Sequence, residues 1–122
     1  MSTTAAPIGW FEIAASDTDK AEAFYGEIFN WSFNADDAVP AYRIVETGSI
    51  PGGVTTAQAG TPETYAIFSV VVLDVAATCE AVVAKGGSVL VGPETIAENG
   101  LTFANLTDPD GNHFGVFTPP AG

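Results

Sequence analysis

Residues 11–24, FEIAASDTDKAEAF, have an echo at residues 68–81, FSVVVLDVAATCEA. Sliding Phe11 onto Phe68, a shift of 57, lays Ile13 on Val70 and Asp17 on Asp74. Each copy opens on an apolar run, turns, and sets an aspartate in front of apolar residues at helical spacing. An aspartate in that place accepts hydrogen bonds from the free amides of a helix's first turn. Few residues are identical, but the order of elements repeats, and order is what a duplicated module keeps.

Working outward from the first copy, IGWFEIA (8–14) alternates and predicts a strand. Asp17 caps a helix whose apolar stripe is Ala21, Phe24, Tyr25, Ile28 and Phe29, and Asn30 suits the left-handed residue that closes it. Strands are predicted at WSFNA (31–35), AYRIVET (41–47) and GGVTTAQ (52–58). In the second copy, YAIFSVVVL (65–73) is the strand and Asp74 the cap. Val75, Cys79, Val82 and Val83 make the stripe, and Gly86 and Gly87 end the helix. Strands follow at SVLVGP (88–93), LTFANLT (101–107) and NHFGVF (112–117), the last two joined by the DPDG turn at 108–111.

The expected fold is therefore α+β: two tandem βαβββ modules forming a curved eight-stranded mixed sheet. Two such sheets placed edge to edge leave a concave cup for a ligand. With 122 residues the chain can build one core of ordinary size. A single domain is expected over residues 7–117, with module one at about 7–58 and module two at about 64–117. Residues 1–6 are a loose arm and 118–122 a tail.

Fifteen Asp and Glu stand against Lys20, Arg43 and Lys85, a formal net charge of −12. That argues against nucleic acid or an anionic membrane as partner, because phosphate binding needs clustered Lys and Arg. Cationic ligands would be drawn in, although surface solubility explains the same charge. Cys79 is the sole cysteine, which excludes an intrachain disulfide and fits a reducing cytoplasm. The N-terminal residues carry no basic segment followed by an apolar one, so no signal peptide is expected, and no apolar run reaches membrane-span length.

The two modules, the opening FEIAASDTDKAEAFYGEIFNW and the closing DPDGNHFGVF resemble the vicinal oxygen chelate superfamily. It is also called the glyoxalase, bleomycin-resistance and extradiol-dioxygenase family. The resemblance runs from about Pro7 to Phe117. It implies the cupped fold, and it implies where metal-using members hold a cation: on the first and last strand of each module, usually with His or Glu. Those positions fall here on Trp10, Ile67, Gly115 and the PGGV segment (51–54). None of them offers a usable lone pair, so the reading is a metal-free member with no cofactor. Lewis-acid glyoxalase or dioxygenase chemistry is disfavoured on that donor set.

Strand alternation puts Trp10, Glu12 and Ala14 on one face and Phe11 and Ile13 on the other. If Trp10 faces the cup, so do Glu12 and, by the same count, Ile67, Ser69, His113, Gly115 and Phe117. A carboxylate among Trp and Ile is costly to desolvate, which draws it toward proton-transfer work. Glu12 and His113, the chain's one histidine, are thus the candidate acid–base pair. The plainer alternative is that Glu12 orders a water or an amide and His113 is a satisfied pocket residue. Gly115 leaves room for a bulky ligand or for Trp10.

Arg43 could hold a ligand carboxylate or form a surface ion pair, and the facing of Tyr42, Arg43 and Glu46 stays open. Trp31 and Tyr25 read as core or dimer contacts, and Cys79 as a small buried apolar residue. Two functions compete. One is a protein that binds a small organic molecule, such as an antibiotic-like or cationic compound, by sequestration. The other is a metal-free isomerase, epimerase or lyase using Glu12 and His113. A homodimer is expected from the resemblance and from the open sheet edges.

Overall fold

Asp17 and Asp74 both cap helices. Asp17 precedes α1 (Thr18–Phe29) and accepts from the Lys20 amide at 3.1 Å, and Asn30 closes the helix with φ of 59°. Asp74 precedes α2 (Val75–Ala84) and accepts from the Ala77 amide at 3.0 Å. Gly86, just beyond α2, takes a φ of 99°, a left-handed value that favours glycine. The computed structural model describes residues 5–36 and 41–120.

The strands are β1 (Ile8–Ala14), β2 (Ser32–Ala35), β3 (Arg43–Glu46), β4 (Gly52–Thr55), β5 (Tyr65–Val71), β6 (Ser88–Thr95), β7 (Thr102–Thr107) and β8 (His113–Thr118). With α1 after β1 and α2 after β5, the order is βαβββ twice, as the repeat predicts. The chain divides into two compact units, Trp10–Ile67 and Phe68 onward together with the residues up to Gly9. In the first, β1 pairs parallel with β4, and β4–β3 and β3–β2 are antiparallel. In the second, β5 pairs parallel with β8, and β8–β7 and β7–β6 are antiparallel. Among the described residues the strands are therefore eight and mixed, and the class is α+β.

Boundaries differ at a few ends. The strand expected at 52–58 stops at Thr55, and β6 runs on to Thr95. Thr118 belongs to β8 and its hydroxyl donates to the Val72 carbonyl at 2.7 Å, so the tail starts one residue later than expected. Residues 1–4 of the expected arm and 121–122 of the tail lie outside the described residues.

In the second unit, Val75 and Cys79 of α2 pack on Ala104, Leu106 and Val116, with Phe114 against the cluster's rim. Burial pushes the Cys79 thiol up, which keeps it in the inert neutral form. In the first unit, Ala14, Val45 and Val54 are buried. Above them Tyr25 stacks on Trp31 with centroids 5.4 Å apart, and Phe11 and Phe29 complete the aromatic group.

The stripe expected on α1 is less buried than its spacing predicts. Phe24, Ile28 and Phe29 are more than half exposed, and no α1 residue is fully buried. The strands that α1 contacts, β4 and β2, are only four residues each, which gives the helix little sheet to bury its apolar face against. Val83 of α2 is likewise exposed. Among the described residues no helix is long and apolar enough to cross a membrane.

Candidate functional site

Strand β1 alternates as its sequence dictates. Phe11 turns to Trp31, 5.4 Å between ring centroids, and Trp10 and Glu12 turn to the opposite face. There Glu12 stands beside Gly53 of β4, and Phe11 beside Gly52. A β-carbon on Gly53 would fall on the Tyr42 ring, and one on Gly52 would fall on the Phe11 ring. Two successive glycines thus let one aromatic ring lie flat on β4 from each side. Tyr42 follows Ala41, whose φ of 64° turns the chain just ahead of β3.

The ring over Gly53 delivers the Tyr42 hydroxyl to Glu12. The Trp10 indole N–H donates to the Tyr42 oxygen at 2.9 Å, and the Tyr42 hydroxyl donates to Glu12 Oε1 at 2.8 Å. The Tyr65 hydroxyl, at the start of β5, donates to Glu12 Oε2 at 2.6 Å. Burial, then the Glu12 charge, holds the Tyr42 phenol well above its ordinary range; Tyr65 is raised for the same reasons in the same order. Glu12 was expected among apolar groups; instead each of its oxygens accepts a phenol hydroxyl, which offsets the desolvation.

The facing left open by the sequence is settled. Tyr42 reaches Glu12, whereas Arg43 turns to α1, where Nη2 meets Asp19 at 2.6 Å and Nη1 lies 3.8 Å from Glu22. Glu46 is exposed. Of the two readings for Arg43, the surface ion pair is the one found.

His113, Ser69, Gly115 and Phe117 belong to the second unit. His113 Nε2 donates to Asn105 Oδ1 at 2.7 Å, and Asn105 is buried in β7. Ser69 faces Gly115 in the β5–β8 register, and the Ser69 hydroxyl fills the space a β-carbon on Gly115 would take. The room expected at Gly115 for a ligand or for Trp10 is therefore occupied. Phe117, with Val71, covers Gly9. Ile67 is half-buried on β5. Trp10 and Glu12 are brought together; Glu12 and His113 each have partners within their own unit.

Sequence reasoning missed Tyr42, Tyr65 and Asn105. The Gly52–Gly53 pair was the available signal for Tyr42, since glycine inside a strand marks a close approach. No comparable local signal points to Tyr65 or Asn105.

The four positions where metal-using relatives would carry ligands do not fit a cation. The Trp10 nitrogen is a donor engaged with Tyr42, Ile67 has no lone pair, Ser69 fills the place at Gly115, and the PGGV segment (51–54) carries no ligating side chain, with the Tyr42 ring lying against Gly53. Among the described residues no three His, Cys, Asp or Glu side chains gather as a metal site. The DPDG segment is a closed turn: Asp108 Oδ1 accepts the amides of Asp110 and Asn112 at 2.9 Å, and Oδ2 accepts the Asn112 side chain.

A shallow cleft of about 460 Å³ runs between the end of β1, the first turns of α1 and the start of β5, and Ile13, Lys20, Phe24 and Tyr65 are in its wall. Glu12 is not in that wall, so the cleft and the carboxylate cluster are distinct places that share Tyr65.

Residues 7–116 match the family described as the Glyoxalase/Bleomycin resistance protein/Dioxygenase superfamily. A glyoxylase-like domain-containing protein from Didymella fabae is 31% identical over 121 residues, covering 93% of this chain and 94% of its own. Among solved structures, a glyoxalase/bleomycin resistance protein/dioxygenase superfamily member from Vibrio splendidus 12B01 superposes with a TM-score of 0.65 at 10% identity, over 94% of this chain and 99% of that one. Methylmalonyl-CoA epimerase from Mycobacterium tuberculosis superposes at 0.62 with 13% identity, over 99% and 93%. At such identities the two structures speak to the fold alone. The match across nearly the whole chain, with a relative of matching extent at 31% identity, leads to one conclusion: this chain belongs to the glyoxalase/bleomycin resistance protein/dioxygenase superfamily.

Proposed function

We propose that this chain binds a small organic molecule, without a metal ion, on the face that carries Trp10, Glu12, Tyr42 and Tyr65. The observation that carries the reading is the carboxylate of Glu12, held by two phenol hydroxyls between aromatic rings. Such a face offers apolar area together with one fixed charge, which is how small-ligand sites combine affinity with orientation. The net charge of −12 favours a cationic compound, such as an antibiotic-like one held by sequestration. Pairing as a homodimer belongs to the same proposal, supported by β2 and β6, each of which pairs on one side among the described residues. Sedimentation of the full chain tests it.

A second reading is a metal-independent isomerase, epimerase or lyase in which Glu12 handles the proton. What favours it is a half-buried carboxylate with lone pairs to spare, on a fold shared with methylmalonyl-CoA epimerase. One experiment separates the two: a thermal-shift screen of organic compounds followed by mass analysis for turnover. Binding without product supports sequestration. Turnover that Glu12→Gln abolishes while affinity survives supports the enzyme. A large stabilisation by stoichiometric zinc, nickel or iron would refute the metal-independent claim.

A further inference from the structure

The hydrogen bonds on this face all run in one direction. Trp N–H is a donor and nothing else, so the Tyr42 oxygen must accept it, and the single Tyr42 proton goes to Glu12 Oε1. The Tyr65 proton goes to Oε2. Every polar hydrogen that Trp10, Tyr42 and Tyr65 carry on their side chains is therefore committed to Glu12 or to a neighbour. An ionised carboxylate accepts at about four positions, and the two phenols take two of them. One position on each oxygen remains. Among the described residues neither Lys20, Arg43 nor Lys85 comes within ion-pair distance of Glu12, and Arg43 is held by Asp19 and Glu22.

We propose that this face is an acceptor-only site, and that its ligand enters through a head group rich in N–H donors, of the amidinium, guanidinium or protonated-amine class. The proposal rests on the reading that the face binds a small organic molecule and adds the chemistry of what it takes. A carboxylate or phosphate head finds the side-chain hydrogens of Trp10, Tyr42 and Tyr65 already committed and meets the Glu12 charge. A quaternary ammonium brings the charge but no N–H, so it gains the ring contacts and forgoes the hydrogen bonds to Oε1 and Oε2. The raised ionisation of Tyr42 and Tyr65 keeps both phenols protonated and their hydrogens on Glu12. Selectivity here comes from hydrogen-bond direction as well as from charge.

The test titrates the full chain with benzamidinium, phenyltrimethylammonium and benzoate, following the Trp10 indole N–H resonance by NMR. Benzamidinium is expected to bind at least tenfold more tightly than phenyltrimethylammonium, and benzoate not to perturb the signal. Glu12→Gln, which replaces an acceptor oxygen by an NH₂ donor, should cost at least tenfold for benzamidinium and leave phenyltrimethylammonium weak. Tyr65→Phe returns a lone pair on Oε2 and should hold or tighten the benzamidinium affinity, a readout that a folding defect would not give. Equal binding of the two cations, or a benzoate response at Trp10, overturns the acceptor-only proposal and leaves small-molecule binding standing. If no probe and no compound of the wider screen moves the Trp10 signal, small-molecule binding itself falls, and this proposal with it.

Discussion

Gly53→Ala is a one-methyl change with a large expected effect, because the added carbon falls on the Tyr42 ring. Displacing that ring breaks two hydrogen bonds, Trp10 to Tyr42 at 2.9 Å and Tyr42 to Glu12 at 2.8 Å. The first is worth about 1 kcal/mol and the second, to a charged group, about 2. Forcing a ring out of a packed place adds about 1–3 kcal/mol. Water reaching this half-buried face returns part of the loss, so Gly53→Ala should cost about 3 kcal/mol. The φ of Gly53 lies outside the left-handed region, so alanine meets no backbone penalty. In a Tyr42→Ala background the same substitution should therefore change sign and stabilise by about 0.5 kcal/mol, through the unfolded-state entropy that alanine removes. Urea unfolding of the four proteins of this cycle, with m-values compared, measures the coupling directly. If Gly53→Ala costs as much without the Tyr42 ring as with it, the argument that glycine is there to admit the ring is wrong.

Other outcomes follow from the same structure. Tyr42 and Tyr65 are raised from an ordinary value of 10.0, so the folded state keeps protons that the unfolded chain gives up. Their contribution is intact below about pH 10 and is lost as pH rises beyond it, and melting curves between about pH 8 and 11 should fall less steeply in Tyr42→Phe/Tyr65→Phe. Leu106→Ala should cost about 3 kcal/mol in denaturant, since Leu106 is fully buried against α2; a cost below about 1 would contradict that packing. Asp17→Ala and Asp74→Ala should each lose about 1 kcal/mol of stability, and Asn at either place should retain most of it.

The parts of the fold that local chemistry dictates could be read from the sequence. Asp17, Asp74 and Asn30 announce helix ends because capping is settled within a few residues of chain. The alternation in IGWFEIA placed Trp10 and Glu12 together because a strand's period is fixed at two. The partners of Glu12 were hidden for a different reason. Tyr42 and Tyr65 lie 30 and 53 residues away, and Tyr42 reaches Glu12 from just outside β3, across a strand rather than along one. The exposure of Phe24 and Ile28 was hidden as well, since spacing shows which residues share a helix face and not how far the sheet beneath it extends.

Position 53 also limits what this lineage can become. The ring of Tyr42 occupies the volume in which a coordinating His or Glu at that place would have to begin. A descendant acquiring such a residue must first surrender the tyrosine. A coordinating side chain at position 53 and the hydrogen bond from Tyr42 to Glu12 are thus rival tenants of one address, and any route from one to the other passes through loss of the tyrosine.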